Sequence, residues 1–328
     1  MRACVLANQV GCPLFIPSLS SSTVRDIVKK RKGKGCVVTG EVTAASLACD
    51  GSNYWNKCWR HAAAFVCSPP LREGEMNELV DATSEGSIDV VSSHHAAYNT
   101  QQKALGKGNF QNIPEGITGV EERLLVLWQK GIQSGKMSRS QFVKVTSTTP
   151  AKLLNIYPQK GCIAVGSDAD IVIWDPTANK TITKEEHLSK CDFNIFEGLE
   201  ITGGPEYVIF KGKMVKDQDL FRPMTGYGQF QALPPFAPYI YDKMKEKNEK
   251  DKVEPVVRSE QDMATINGID NIPPATPDAV RPSNQQRSSV DLNSHPQTPD
   301  FDEVPNSPSR SSVRVRAPPG GNTSGGFW

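Results

Sequence analysis

The chain has 328 residues, 22% of them charged, and a formal charge of +1. That length gives a soft expectation of about two domains. The near-neutral balance gives no reason to expect a nucleic-acid partner or a membrane surface, and no run approaches the roughly 18 apolar residues of a spanning helix.

The first residues carry one Arg and a few apolar side chains interrupted by Asn8 and Gln9, which does not match a signal peptide. Eight cysteines, at positions 4, 12, 36, 49, 58, 67, 162 and 191, form no C-x-x-C pair. Neither a zinc ribbon nor a thioredoxin-like motif is expected, and the cysteines read as reduced thiols of a cytoplasmic protein.

In chain order, residues 1–9 read as the end of a helix and 12–16 as a short strand stopped by Pro17. Ser22 or Thr23 is positioned to cap a helix whose apolar positions are Val24, Ile27 and Val28. Its end is basic, with Lys29, Lys30, Arg31, Lys32 and Lys34, where cations oppose the partial negative charge of a helix C-terminus. A strand at 36–39 comes next, and strand–helix–strand alternation is the signature of a parallel sheet. Residues 76–82 read as a helix and 88–91 as a strand leading into Ser92-Ser-His-His. Residues 103–119 read as a Gly-rich loop. Beyond it a helix is expected at 120–132, with Val120, Leu124, Leu127 and Trp128 on one face.

The stretch 144–176 joins this βα portion to a strand-rich portion. Thr146, Ser147, Thr148 and Thr149 offer oxygens to cap a short helix, and Pro150 suits its first turn. A strand is expected around 163–165. Another is expected at 171–174, where a β-branched run bounded by Gly and Pro fits burial on both faces. Residues 207–210 and 214–215 read as a hairpin turning at Lys211-Gly212-Lys213. A short charged helix is expected at 239–251. From Glu246 onward the chain holds eleven of its 24 prolines and three aromatics, too little apolar area to offset the entropy of ordering.

These residues carry a family resemblance. Asp50-Gly-Ser-x-Tyr-Trp, His61-Ala-Ala-Ala-Phe-Val, Ser68-Pro-Pro-Leu, Tyr98-Asn-Thr-x-x-Lys-Ala-x-Gly-Lys and Ile113-Pro-Glu-Gly resemble the dihydropyrimidinases and their relatives, the collapsin response mediator proteins. So do Tyr157-Pro-x-Lys-Gly, the run from Ala164 to Pro176, and Asn194-Ile-Phe-Glu-Gly. Arg314-Val-Arg-Ala-Pro-Pro-Gly-Gly resembles the C-terminal end of the mediator proteins, which the enzymes lack. The resemblance implies an α/β fold. It would comprise the C-terminal part of an amidohydrolase-type (β/α)8 barrel (1–160), the C-terminal part of a small β-sandwich (161–245) and a disordered Pro/Ser-rich tail (246–328). The family's earlier strands have no counterpart, so the chain reads as a short form or fragment of the family architecture.

Enzymes of that family hydrolyse cyclic amides with two zinc ions held by an HxH pair, a carboxylated lysine, two further histidines and an aspartate. By the resemblance, the HxH pair, the lysine and one histidine have no counterpart. Ser18 stands where the other histidine belongs, and His94 where the aspartate, also the catalytic base, belongs. Glu115 replaces a substrate-contacting asparagine, and Ser68 matches a substrate-binding serine. The expectation is a chain without catalysis, metal or cofactor, with Ser18, Ser68, His94 and Glu115 as remnants of a former site.

Adjacent His94 and His95 raise a metal reading, but neighbouring side chains on extended backbone point to opposite faces, so polar loop residues are expected instead. His61 reads as a hydrogen-bonded packing residue, and Trp55 and Trp59, at i and i+4, as a core or interface face. Asp168 and Asp170 read as turn residues. The basic run Lys29, Lys30, Arg31, Lys32 reads as a solvated helix end or, more sharply, as a contact for an acidic partner. In the tail, Thr276, Thr298 and Ser307 precede proline, while Ser289 and Ser312 follow Arg-Ser, as candidate kinase sites. Each phosphate adds about −1.5 to −2 charge and would weaken attraction of Arg310, Arg314 and Arg316 to an acidic partner. The resemblance implies a non-catalytic cytoskeletal adaptor of neuronal cytoplasm, in axon or neurite. Its implied partners are tubulin or microtubules, full-length relatives in oligomers, and protein kinases, and its implied role is axon growth and guidance. The alternatives are a zinc-dependent cyclic amidohydrolase and a short form that modulates full-length relatives by hetero-oligomerisation.

Overall fold

The computed structural model describes residues 1–256. By its contacts the chain divides into Met1–Glu254 and Pro255–Trp328, and the elements described belong to the first unit. The candidate phosphorylation sites Thr276, Ser289, Thr298, Ser307 and Ser312, with Arg310, Arg314 and Arg316, lie outside the described residues.

Helix α1 (Arg2–Gln9) leads into β1 (Leu14–Ile16), α2 (Ser22–Gly33) and β2 (Val38–Thr43). Helices α3 (Ala44–Ala48), α4 (Trp59–Ala64) and α5 (Met76–Ser84) precede β3 (Val90–Ser92). The three strands form a parallel sheet in the order β1-β2-β3, with Leu14 opposite Val38 and Glu41 opposite Val90. Parallel pairing requires helical crossovers, and α2 and α5 supply them. Val28 of α2, Leu79, Val80 and Ala82 of α5, and Val42 and Val91 of the sheet are almost fully buried together. Each such side chain contributes roughly 1.5–3 kcal/mol. The cap of α2 is Ser21, one residue before the expected Ser22, with its hydroxyl accepting from Val24 N–H at 3.4 Å.

After β3 come α6 (Thr100–Lys103), α7 (Arg123–Leu127), α8 (Arg139–Val143) and α9 (Thr149–Leu153). Wider π-type turns at Trp128–Gln133 and Lys144–Thr148 extend α7 and join α8 to α9. The expected helix at 120–132 thus starts later, and Val120 is 62% exposed outside it. The threonines before Pro150 do not cap α9: the helix runs through them, and Thr146 Oγ1 donates back to Phe142 O at 2.7 Å.

A second, antiparallel sheet has the order β4 (Ile171–Thr181), β5 (Glu200–Phe210), β6 (Lys213–Asp217), β7 (Leu220–Phe221). Two expectations fail here. Residues 163–165 form no strand, and Ile163 and Val165 stand almost wholly in solvent. The run 171–174 is not buried on both faces, because β4 is an outer strand with Val172 and Ile173 half exposed. The hairpin between β5 and β6 turns as expected through Lys211 (φ +47°) and Gly212 (φ +78°), consecutive positive φ values of the kind that match strand twist.

The antiparallel sheet packs on α8 and the extension of α7 through aromatic side chains. Trp128 lies 4.8 Å from Trp174 of β4 and 5.5 Å from Phe142 of α8, ring centre to ring centre. Gly203 of β5, at φ +107°, lies against both indoles. Gln129 Oε1 accepts from Thr202 N–H at 2.8 Å, and Gln133 Nε2 donates to Thr202 O at 2.8 Å and Pro176 O at 3.1 Å. Helix α10 (Pro238–Lys250) then carries folded chain past Glu246, where the composition alone places the start of a tail.

Candidate functional site

In a parallel sheet the strand C-termini lie on one side, and ligands of α/β proteins bind beyond them. The chain leaves β1 through Pro17 to Ser18, leaves β2 at Thr43, and leaves β3 through Ser93 to His94. Ser18 is buried and His94 exposed, and both hold left-handed backbone at φ +55° and +49°. Such conformations store about 1–3 kcal/mol and concentrate at functional sites. Here they turn the two side chains toward each other, with Ser18 Oγ 3.3 Å from His94 Nδ1. Thr43 Oγ1 lies 2.9 Å from Ser46 Oγ and accepts from Ser46 N–H at 3.2 Å, capping α3.

Ser18, Thr43, Ser46, Cys67, Ser68 and His94 line one cavity of about 10 Å³. That is room for about one water molecule. The structure therefore brings Ser18, Ser68 and His94 together, while Glu115 is exposed and lines no part of the cavity. His95 faces away, its Nδ1 accepting from Gly119 N–H at 3.2 Å and Val120 N–H at 3.3 Å. Burial pushes the Cys67 thiol above its ordinary value, so at neutral pH it is a protonated thiol and not a nucleophile.

The walls are held by Lys103, a residue of the motif at 98–107 to which the sequence alone assigns no role. Lys103 is 3% exposed, and its ammonium donates to Val66 O at 3.1 Å, Pro114 O at 2.8 Å and Gly116 O at 2.8 Å. It ties the loop carrying Cys67 and Ser68 to the loop carrying Glu115. Burial draws its pKa down to about 8. The signal in the sequence is its place in the motif at 98–107, which does not distinguish it from Lys107 as the buried one.

The donor set can be tested against the zinc that the family resemblance implies. Zinc takes thiolate, imidazole or carboxylate ligands. This cavity offers one imidazole, three serine hydroxyls, a threonine hydroxyl and a protonated thiol. Among the described residues no group of three His, Cys, Asp or Glu side chains is placed to hold a metal. The residues present do not fit a zinc pair.

Other singled-out residues take separate roles. His61 Nε2 lies 2.8 Å from Asn53 Oδ1, with its ring 4.9 Å from that of Phe65. Trp55 is 83% exposed and Trp59 begins a different helix, so they form no common packed face. Asp168 and Asp170 both pair with Lys160, which holds the Asp168 carboxyl below its usual range. The basic run divides: Lys29 pairs with Glu85 at 3.0 Å and Lys32 with Asp89, while Lys30 and Arg31 have no acidic partner among the described residues. No described helix is long and apolar enough to cross a membrane.

Residues 21–215 match the amidohydrolase family model. The chain is 44% identical over 261 residues to a dihydropyrimidinase of Rattus norvegicus, covering 79% of this chain and 50% of that protein. It is 36% identical to dihydropyrimidinase-related protein 5 of Homo sapiens, over 100% of this chain and 59% of the relative. Among solved structures, a D-hydantoinase from Bacillus sp. AR9 superposes with a TM-score of 0.68 at 38% identity, over 70% of this chain and 50% of that one. The chain spans about half the length of the curated relatives it matches. Its parallel strands, its antiparallel sheet and its matched residues agree: this chain belongs to the amidohydrolase family.

Proposed function

We propose that this chain is a non-catalytic member of the dihydropyrimidinase-related group, a cytoskeletal adaptor of the collapsin response mediator type. The reading rests on one observation above all. Where a hydrolase of this family needs metal ligands and a carboxylate base, Ser18 and His94 contact each other at 3.3 Å across a cavity the size of one water. A serine hydroxyl is a poor zinc ligand, and a cyclic amide substrate does not fit such a space. The partners proposed are tubulin or microtubules and full-length relatives, in neuronal cytoplasm, with kinases acting on the Ser/Pro-rich tail. Co-sedimentation of the purified full chain with microtubules tests the adaptor role, and absence of binding at any salt concentration contradicts it.

The sheet edges favour a second, compatible reading, that the chain modulates longer relatives by assembling with them. Among the described residues β1 and β3 each have one edge without a strand partner, and Phe15 of β1 is 46% exposed. Parallel sheets are ordinarily covered. Co-expression with a full-length relative followed by size-exclusion chromatography tests this reading. A short chain that elutes and melts alone as a cooperative monomer excludes it. The hydrolase alternative draws on the 44% identity to a dihydropyrimidinase, and a dihydrouracil hydrolysis assay decides it.

A further inference from the structure

A cleft of about 540 Å³ lies at the opposite end of the parallel sheet from the Ser18–His94 cavity. One wall is the end of α2 and the chain entering β2, with Lys32, Lys34 and Val37; the other is α10, with Tyr239, Ile240, Lys243, Glu246, Lys247 and Lys250. Asp89 and Asp251 complete the charged lining. On α10 the lysines at 243, 247 and 250 are spaced i, i+4, i+7 and so share a face. Two helix ends rich in lysine thus meet across one groove.

Ion pairing sorts these charges. Lys32 is taken by Asp89 and by Ser87 O at 2.9 Å, and Lys247 by Asp251. Lys34, Lys243 and Lys250 have no acidic partner among the described residues, and Glu246 has no basic one. Among the described residues, then, three free cations face one free carboxylate. Lys243 Nζ lies 3.8 Å from the ring centre of Tyr239, which holds it at the cleft. Val37, Tyr239 and Ile240 give the cleft an apolar part beside the lysines.

We infer that this cleft is a docking site for an acidic polypeptide segment, one carrying carboxylates for Lys34, Lys243 and Lys250 and an apolar or aromatic residue for the apolar part. The apolar part and the retained Glu246 favour a peptide over a polyphosphate or nucleic acid, whose closely spaced charges would meet Glu246, Asp89 and Asp251. The acidic-partner surface thereby moves away from Lys29 and Lys32, which are already paired inside the fold, to three lysines of which two lie on α10. The adaptor reading bears on the cleft only through the identity of the natural partner.

The test is fluorescence polarisation of the full chain with a labelled peptide of alternating Glu and Tyr, against the same peptide with Gln for Glu. Binding of the Glu peptide alone is expected, and it should fall at least about tenfold in the Lys34→Glu, Lys243→Glu, Lys250→Glu variant. A Lys30→Glu variant, outside the cleft, should bind within about twofold of the parent. Circular dichroism melting reports whether the triple variant folds; Lys34→Gln, Lys243→Gln, Lys250→Gln gives a milder second arm with the same expected direction. Equal loss in Lys30→Glu, equal binding of the Gln peptide, or tighter binding of an oligonucleotide through the same lysines overturns the inference. Loss of microtubule binding with peptide binding intact counts against the adaptor reading alone, and the reverse counts against the cleft alone.

Discussion

Gly203→Ala probes the packing that joins the antiparallel sheet to the extension of α7. A Cβ at this position would sit 2.4 Å from Trp128 Nε1, 3.0 Å from Trp128 Cδ1 and 3.0 Å from Trp174 Nε1. Both indole N–H groups are buried without an acceptor among the described residues. Trp128 is 5% exposed and packed on Trp174 at 4.8 Å and on Phe142 at 5.5 Å, so it moves only by displacing those neighbours. Overpacking of this kind costs about 1–3 kcal/mol. The left-handed φ of +107° adds about 1–2 kcal/mol for any residue with a Cβ. Reduced freedom of the unfolded chain returns about 0.4–1 kcal/mol. The net loss centres on about 3 kcal/mol, within limits of about 1–5 kcal/mol, or roughly 6–12 °C in Tm at the centre for a unit of this size. The neighbouring Gly204 is an internal control, since its Cβ would meet only Leu125 Cδ2 at 3.8 Å and its φ is ordinary. Thermal melting of the full chain, followed by tryptophan fluorescence, should show Gly203→Ala far below the parent and Gly204→Ala within about 0.5–1 kcal/mol of it. Equal melting of the two variants would refute the packing described for Trp128 and Trp174.

Lys103→Met leaves the carbonyls of Pro114 and Gly116 without a donor, while Val66 O keeps Gly116 N–H at 3.0 Å, and should cost about 2–4 kcal/mol in urea unfolding, with early protease cleavage in the loops around Cys67 and Glu115. Cys49 is buried and its thiol is pushed up to about 12. It should resist thiol reagents at neutral pH while exposed Cys12 and Cys58 react at once. A raised folded-state pKa means this contribution is intact below the ordinary value of 9.0 and is lost as pH rises toward about 12, so Cys49→Ala should flatten that limb of the stability profile. Asp50 accepts from Gly74 N–H at 2.9 Å and Ser52 N–H at 2.7 Å, which lowers its pKa from 3.8. Its contribution is present above 3.8 and lost as pH falls below it, a dependence that Asp50→Asn should remove. His94→Asp should confer no dihydrouracil turnover, because the other donors at the cavity remain hydroxyls and the protonated Cys67 thiol.

The legible parts of the fold are those with local causes. Strand β1 ends at a proline, α2 has a serine cap and a basic last turn, and the β5–β6 hairpin carries its turn as Lys211-Gly212. The misread parts depend on what lies across from them. The Ile163–Val165 segment is β-branched, but no strand pairs with it. Ile171 to Trp174 reads as doubly buried, yet β4 is an outer strand, and only Trp174 among them packs into the aromatic cluster. Thr146 has the chemistry of a cap but bonds back one turn, and the helix continues. At the site, Ser18 and His94 are predictable neighbours once both are placed after parallel strands. Lys103 is not, because its role comes from three carbonyls brought together by loops.

On the proposed function, the ends of the parallel strands assemble no hydrolytic metal centre. The direct measurement is zinc content and dihydrouracil hydrolysis on one preparation of the purified full chain, supplied with zinc during expression. The expected result is zinc well below one equivalent per chain and no hydrolysis above the buffer rate. Stoichiometric zinc, with turnover that a chelator abolishes and zinc restores, would contradict it.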